Sequence, residues 1–326
     1  MEWRAILGDI INNVAERDRI ANEVGVHPVT LTRWVSGDSS PRSHNLRQLL
    51  RALPKPQRMQ LLTSLEKVSS DIADFDVDVS AQEIPYKFIT EVLDARASIP
   101  DLLRSWSISH QILQQALKQL DPERVGMAIT VVRCMPLRNG KIRSLRESTG
   151  LGTSPWAGDL EEKALLLGAE SLAGHVTVSC RMEQIGDLNT NRTFLPAYQT
   201  EYEVSAVACP IMYAGRTAGC LLISSTQTEY FAPEARLSLV RAYANLLALA
   251  FKPDEFYDPE LLALHIMPPI HIQQKHFSGF RQRVLEVLHE SIRANRHLSN
   301  PEAEELVWQE IEEALLRYPT DGTLHT

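Results

Sequence analysis

The chain has 326 residues, 44% of them hydrophobic and 23% charged, with a formal net charge of −8. That length suffices for two or three domains, each with its own core, and the composition excludes a disordered or fibrous chain. No apolar run approaches the ~20 residues of a membrane span, and the start MEWRAILGDIINN lacks the charged-then-apolar order of a signal peptide. The expectation is therefore a cytoplasmic protein with no membrane partner.

The first informative stretch is Arg17 to Leu53. Ile20, Ala21 and Val24 make one apolar helical stripe, Gly25 permits a sharp turn, and Pro28 opens a second helix whose inner face is Leu31, Trp34 and Val35. Val29, Thr32, Arg33 and Ser36 are left on the outer face, and Gly37 ends the helix. Residues 1–60 hold nine Lys/Arg against six Asp/Glu, a local balance of +3 in a chain of −8, so the remainder carries −11. A local basic excess suits phosphate binding, and its small size suits a dimer rather than one copy. With its Ile-Ala pair, Gly25-Val26, Leu31 to Trp34, Gly37, Pro41 and the closing run Asn45-Leu46 to Ala52-Leu53, the segment resembles the helix-turn-helix domain of phage-repressor-like regulators, the xenobiotic-response-element class, over residues 1–54. The resemblance implies double-stranded DNA as partner, with Val29 and Thr32 near base edges, Arg33 on a base or phosphate, and Arg17, Thr30 and Ser36 beside them. It also implies phosphate contacts from Arg42, Ser43, Asn45 and Arg47 at the start of the next helix. His27 stands where the family prefers a Ser or Thr cap, and the outer face offers no Gln or Asn for bidentate adenine reading, so direct readout is expected to be modest.

Pro54-Lys55-Pro56 and the acidic stretch 69–82 suggest the first boundaries: a DNA-binding domain over 1–68 and a linker over 69–83. From Pro85 a long helix is expected, with Leu102 or Leu103, Trp106, Leu113, Leu117 and Leu120 at helical spacing and Asp121-Pro122 stopping it. The period then changes. Residues 127–137 and 141–148 flank Asn139-Gly140, a hairpin signal; 160–173 reads as helix and 175–182 as extended. After a polar stretch, 203–215 and 216–227 meet at Ala214-Gly215-Arg216 in a second hairpin, and Pro233 to Phe251 is an apolar helix.

This order, with the ending from Val204 to Phe251 (a strand with a proline, AGCLLISS, EYF, a closing helix), resembles a GAF domain over 84–252. The fold class expected is thus multidomain: an all-α helix-turn-helix domain, an α+β GAF-like domain with an antiparallel sheet, and a helical C-terminal region over 253–326. The GAF resemblance implies an unknown small-molecule ligand and dimers through flanking helices. It supplies neither a cyclic-nucleotide signature nor a bilin-attaching cysteine motif.

A ligand pocket is expected under one face of the sheet, covered by the loop from Gly186 to Tyr202. Cys134, Cys180 and Cys209 fall on expected strands and are candidates for redox or ligand sensing, although buried packing is the commoner role of cysteine. Cys220 completes a set without any C-x-x-C pair, against a zinc ribbon or disulfide framework. Arg133 and Arg181, with Arg143 and Arg146, are candidates to hold an anion, or else charged strand edges that discourage aggregation. In the tail, His265, His271 and His276 are spaced six and five apart, which fits no short-range zinc pattern, and no metal is expected. One amphipathic helix carries Phe280, Val284, Leu288 and Ile292. Another is expected to start with Asn300 as cap and Pro301 as its first residue, and carries Leu306, Val307, Trp308, Ile311, Leu315 and Leu316; it must bury that face on the sensor domain, a second copy or another protein, and dimerisation is favoured.

The function expected is a transcription regulator, not an enzyme, that acts as a homodimer and whose operator binding is set by a small molecule or redox signal, with RNA polymerase as a further partner and the long helix as lever. Two alternatives stay open: a thiol-dependent GAF-like enzyme of the methionine sulfoxide reductase type, and a protein-docking scaffold.

Overall fold

The structure, a computed structural model, describes residues 2–39, 83–160, 165–190 and 202–318, with scattered positions between Pro41 and Ser64. The chain divides into two compact units, Met1–Ala81 and Gln82–Thr326.

The first unit contains α1 (Glu2–Ile11), α2 (Val14–Val24) and α3 (Pro28–Ser36). Asn13 caps α2, its side-chain oxygen accepting the Ala15 N–H at 3.0 Å. Gly25 ends it at φ 71°, a left-handed conformation in which an L side chain is strained, and the Val26 N–H donates back to the Ala21 carbonyl at 2.9 Å. The chain can therefore reverse into α3 within three residues. Ile20, Ala21, Val24, Leu31 and Trp34 bury as the periodicity requires, joined by Trp3, Leu7 and Ile11 of α1 and by Leu49, Leu53 and Leu61.

The second unit opens with α4 (Tyr86–Ser98) and α5 (Asp101–Leu120). The single helix expected from Pro85 is two, because Pro100 has no N–H to donate and drives Ile99 into an extended conformation. The buried stripe of α5 is Ile108, Ile112, Leu113, Ala116 and Leu120, while Leu102, Leu103 and Trp106 stay exposed. An antiparallel sheet follows, built from β1 (Met127–Cys134), β2 (Leu145–Gly152), β3 (Leu166–Leu167), β4 (Glu183–Ile185), β5 (Ser205–Tyr213) and β6 (Arg216–Ser225) in the order β3-β2-β1-β6-β5-β4. Both expected hairpins are present: Arg138 bridges Lys141 around Asn139-Gly140, and Tyr213 pairs with Arg216 around Ala214-Gly215, all four turn residues at positive φ.

Two expectations between the hairpins fail. Where 160–173 was expected to be helical, Leu166–Leu167 forms the edge strand β3 against Leu145 and Arg146. Where 175–182 was expected to be extended, α6 (Leu172–Ser179) is helical, capped by Ser171, whose Oγ accepts the Gly174 N–H at 2.9 Å. The alternating Val176-Thr177-Val178 mimics a strand, but Leu172, Ala173, Val176 and Thr177 all bury, a helical set that so short an apolar run does not distinguish in advance. Cys180 consequently sits at the C-terminus of a helix, not on a strand.

α7 (Glu234–Leu247) and α5 cover one face of the sheet, contacting Ile129, Val131, Val207, Ile211, Leu221 and Ile223. α6 lies on the other face, over Val132, Ala206, Ala208 and Cys220. The tail contributes α8 (Ile270–Phe277), α9 (Phe280–Arg293) and α10 (Asn300–Leu316), the last capped by Ser299 in a box with Glu302, one residue earlier than expected. Ala303, Val307, Ile311 and Leu315 of α10 pack with Met135 and Leu166 of the sheet domain and with Met267 and Val284. Most of the apolar face of α10 expected to mediate dimerisation, Val307, Ile311 and Leu315, is thus covered by the chain itself, while Leu306 stays exposed. No described helix is long and apolar enough to cross a membrane.

Candidate functional site

Alternation along the strands creates a cavity. On β1, β5 and β6 most residues facing α5 and α7 are large, with Cys209 and Ala218 the exceptions, whereas those facing α6 include Ala128, Thr130, Ala206 and Ser224 beside Leu222. Small side chains there leave a cavity of about 410 Å³, within the usual range for small-molecule sites. Its floor is the sheet, with Gly150 and Leu222; Leu172 and Ala173 of α6 close one side and Ile185 and Leu188 another. Trp156 and Tyr202 form an aromatic corner, edge to face with centroids 6.3 Å apart. The polar groups at the wall include Glu147, whose carboxylate accepts the Leu165 N–H at 3.2 Å, and Glu203, which accepts the Ser224 hydroxyl. Leu188 and Tyr202 come from the ends of the expected covering loop; residues 191–201 lie outside the described residues.

Ile270, Gln274 and Phe277 complete the wall from the tail. The tail is held in place by backbone and side-chain bonds. Ile142 donates to Leu261, Ala263 to Ile142, and His265 to Arg143, while Glu170 accepts from Gly168 and Met267 at 2.9 Å each. A Cβ on Gly168 would sit 1.9 Å from the His265 carbonyl oxygen, so only glycine admits this close passage. Burial pushes the Glu170 carboxyl up, opposed by the hydrogen bonds it accepts.

The expected ligand residues are elsewhere, and none of the five lines the cavity. Cys209 packs on the α5/α7 face. Cys134 is buried beside Val132 and Cys220, Cys180 ends α6, and Arg181 is exposed just after it. Burial pushes every thiol up, Cys209 to about 11 and Cys220 to about 12, with Cys134 and Cys180 raised in the same direction. Such thiols are protonated at neutral pH and poor nucleophiles. Arg133 pairs with Glu255. Arg143 binds Glu312 at 3.0 Å and Glu313 at 2.7 Å, and Arg146 reaches Glu305 at 3.5 Å under the Trp308 ring. Burial draws Arg146 down to about 10, against the pull of Glu305, so it stays a cation at neutral pH. These arginines anchor the tail, a role invisible without knowing that glutamates 122 to 170 residues away face them. His265, His271 and His276 join no cluster, and no group of three or more His, Cys, Asp or Glu among the described residues is placed to hold a metal.

In the first unit, Trp34 is 2% exposed and fixes the inner face of α3, and the Arg4 guanidinium donates to its carbonyl at 3.1 Å. Val29, 58% exposed, lies outside with Thr32, Arg33 and Ser36, whose hydroxyl bonds Asp38 at 2.7 Å. His27 does act as the cap of α3, its Nδ1 accepting the Val29 N–H at 3.3 Å. Thr30 is half-buried, Arg17 pairs with Asp18 at 3.3 Å, and Asn45 is helical and half-buried. Arg42, Ser43 and Arg47 lie outside the described residues.

Residues 107–251 match the GAF domain family, and a GAF domain is present in this chain. Comparison with curated proteins gives no match. Among solved structures the chain is similar to the GAF domain from an Acinetobacter phosphoenolpyruvate-protein phosphotransferase (17% identity, covering 50% of this chain and 90% of that one, TM-score 0.35). It is also similar to the type II free methionine-R-sulfoxide reductase from Thermoplasma acidophilum (18% identity, 48% and 97% covered, TM-score 0.33) and to the A. aeolicus nlh2 GAF domain (16%, 53% and 96%, TM-score 0.36). Likeness at this level concerns the fold and carries nothing about chemistry.

Proposed function

We propose that the chain is a DNA-binding transcription regulator whose GAF domain senses a small molecule in the cavity between the sheet and α6, and that it acts as a dimer. The observation that carries the reading is α3: a helix anchored by Trp34 whose opposite face presents Val29, Thr32, Arg33 and Ser36, entered through a tight left-handed turn from α2. Such a helix fits a major groove about 12 Å wide, with an arginine for guanine or phosphate and small side chains for close approach. The local charge of +3 over residues 1–60 supports a phosphate partner, and its small size supports two copies per site.

Control follows from linkage. A ligand that prefers one arrangement of the two DNA-binding units changes operator affinity by its differential affinity for the arrangements, typically 1–3 kcal/mol. In this reading the chain binds rather than catalyses. The buried, protonated thiols weigh against a thiol-dependent reductase and against redox sensing. Selection of sequences from randomised duplex DNA by the full chain tests the proposal. Wild type is expected to enrich a site and Thr32→Ala/Arg33→Ala to lose it with its fold intact; equal enrichment by both would overturn the assignment of α3.

A further inference from the structure

We propose that Arg4 of α1 is a positioning residue for DNA recognition: it holds the C-terminal end of α3 from the core side and so sets where Val29, Thr32 and Arg33 meet the bases, without itself binding a phosphate. The inference rests on the reading of α3 as the helix that meets DNA and adds to it the residue that fixes that helix in place.

The last four carbonyls of a helix have no partner within it. At the end of α3 the Arg33 carbonyl accepts the Ser39 N–H at 3.2 Å, which closes the helix on its own chain. The Trp34 carbonyl instead accepts the Arg4 Nε at 3.1 Å, from 30 residues away, and this bond ties α3 to α1. Two further contacts hold the guanidinium there. It lies over the Trp3 ring, 5.0 Å from the centroid, and a Cβ on Gly37, the left-handed residue that ends α3, would come within 3.7 Å of its Nη1. A cation at this place also meets the negative end of the helix dipole.

Around that bond α1 and α3 meet closely. A Cβ on Gly8, one turn after Arg4, would sit 3.2 Å from Val35 Cγ1, and Trp3 and Leu7 share one buried cluster with Leu31 and Trp34. Apolar contacts of this kind are non-directional, whereas a hydrogen bond fixes distance and angle. The Arg4 bond falls on the residue next to Arg33 and two from Thr32, so it bears on the side chains read as base contacts. Base readout depends on meeting donors and acceptors in register, while phosphate contacts give affinity without sequence. Loss of Arg4 therefore blurs discrimination between sequences more than it weakens attraction to DNA as such. Half-buried and tied to Trp34, Arg4 is one of the nine basic residues over 1–60 that serves the protein and not a phosphate.

The test is made on the full chain with two duplexes, the one that wild type enriches from the randomised pool and a scrambled one of equal length. Arg4→Met is expected to lose about tenfold on the enriched duplex, to stay within about twofold on the scrambled one, and to keep the slope of log affinity against log salt. Arg4→Lys, which retains a donor for the carbonyl, should recover part of the loss. Amide exchange should quicken in the last turn of α3 and not in α2. Ile20→Val, which thins the same core away from the end of α3, should leave the ratio between the duplexes unchanged, and this separates placement from stability. Equal losses on both duplexes with a shallower salt slope would make Arg4 a phosphate contact and overturn the inference. Wild-type discrimination in folded Arg4→Met, or in Arg4→Gln should Arg4→Met fail to fold, would overturn it too. In each of those cases α3 stays the DNA reader; failure of wild type to enrich any duplex would overturn that reading as well.

Discussion

The two faces of one sheet are covered in different ways. Toward α5 and α7 the strands present Ile129, Val131, Val207, Ile211, Leu221 and Ile223, and the contact is a continuous aliphatic core. Toward α6 the same strands present Ala128, Thr130, Ala206 and Ser224, and part of the contact is a cavity. Close packing is the default of protein interiors, so a face built of small residues against an open volume gives up dispersion energy that larger side chains would supply. The hollow face is also flanked by a tail held both by an apolar cluster of its own and by ion pairs from Arg143 and Arg146, whereas the packed face is closed by the aliphatic contacts of α5 and α7.

Three substitutions and one labelling experiment probe that contrast. The largest effect is expected at the tail clamp. Glu312, 1% exposed, accepts from Arg143 at 3.0 Å and from Ser144 at 2.6 Å, and Glu312→Ala leaves a poorly hydrated guanidinium without that partner. Breaking such a buried pair typically costs about 3–5 kcal/mol. Thermal unfolding should fall by roughly 10 °C, at about 2–4 °C per kcal/mol for a protein of this size; a shift within about 2 °C would mean that the tail is held by its apolar contacts alone.

On the packed face, Ile223→Ala should cost roughly 2–5 kcal/mol in denaturant unfolding, because Ile223 is fully buried in the aliphatic core and its loss leaves a void. A loss below about 1 kcal/mol would erase the distinction between the faces. A smaller effect belongs to Glu313, whose carboxyl is held below its ordinary value of 4.5 by hydrogen bonds from Arg143 and Arg138. A carboxyl with a depressed folded pKa stabilises fully above its unfolded value and loses that contribution as pH falls through the folded one. Wild type should therefore be more stable than Glu313→Gln at pH 6, with the gap closing below about pH 4.5; a gap independent of pH would show that charge is not its source. The thiols should respond least: an aromatic disulfide reagent is expected to modify the half-exposed Cys180 first and leave Cys134, Cys209 and Cys220 protected in the native state. Rapid reaction of any buried thiol would revive a redox role.

Much of this fold was legible in the sequence. Asn139-Gly140 and Ala214-Gly215-Arg216 mark turns that only a few residue types favour, and both hairpins form there. Ile20, Val24, Leu31 and Trp34 bury as their spacing requires, because a small helical unit has one inner face per helix. Pro100 is a breaker visible in the sequence, and it ends the helix at Ser98 with Ile99 extended. The segment from Leu172 to Ser179 was ambiguous in kind, since eight residues with β-branched alternation fit either period and the Ser171 cap decides only with its backbone in place. The cavity was half legible: the parity of small residues at 128, 130 and 206, 224 against large ones at 129, 131 and 207, 223 is written in the strands. Which face is hollow depends on α6 and on the tail, and Ile270, Gln274 and Phe277 reach the site from a helix that no local pattern ties to it. The arginines misled because charge on a strand says nothing of its partner until distant glutamates are brought opposite.

The contrast between the faces is tested most directly by filling the hollow one. Ala206→Leu, with Ala128→Leu as a second variant, adds a branched side chain where the cavity has room. Unfolding midpoints should stay within a few degrees of wild type, as expected for a substitution that meets empty space, while binding of a small apolar probe such as 2-phenylethanol, titrated by tryptophan fluorescence, disappears. Undiminished binding in folded variants, or collapse of the fold at either position, would contradict the account of a cavity kept open for a ligand.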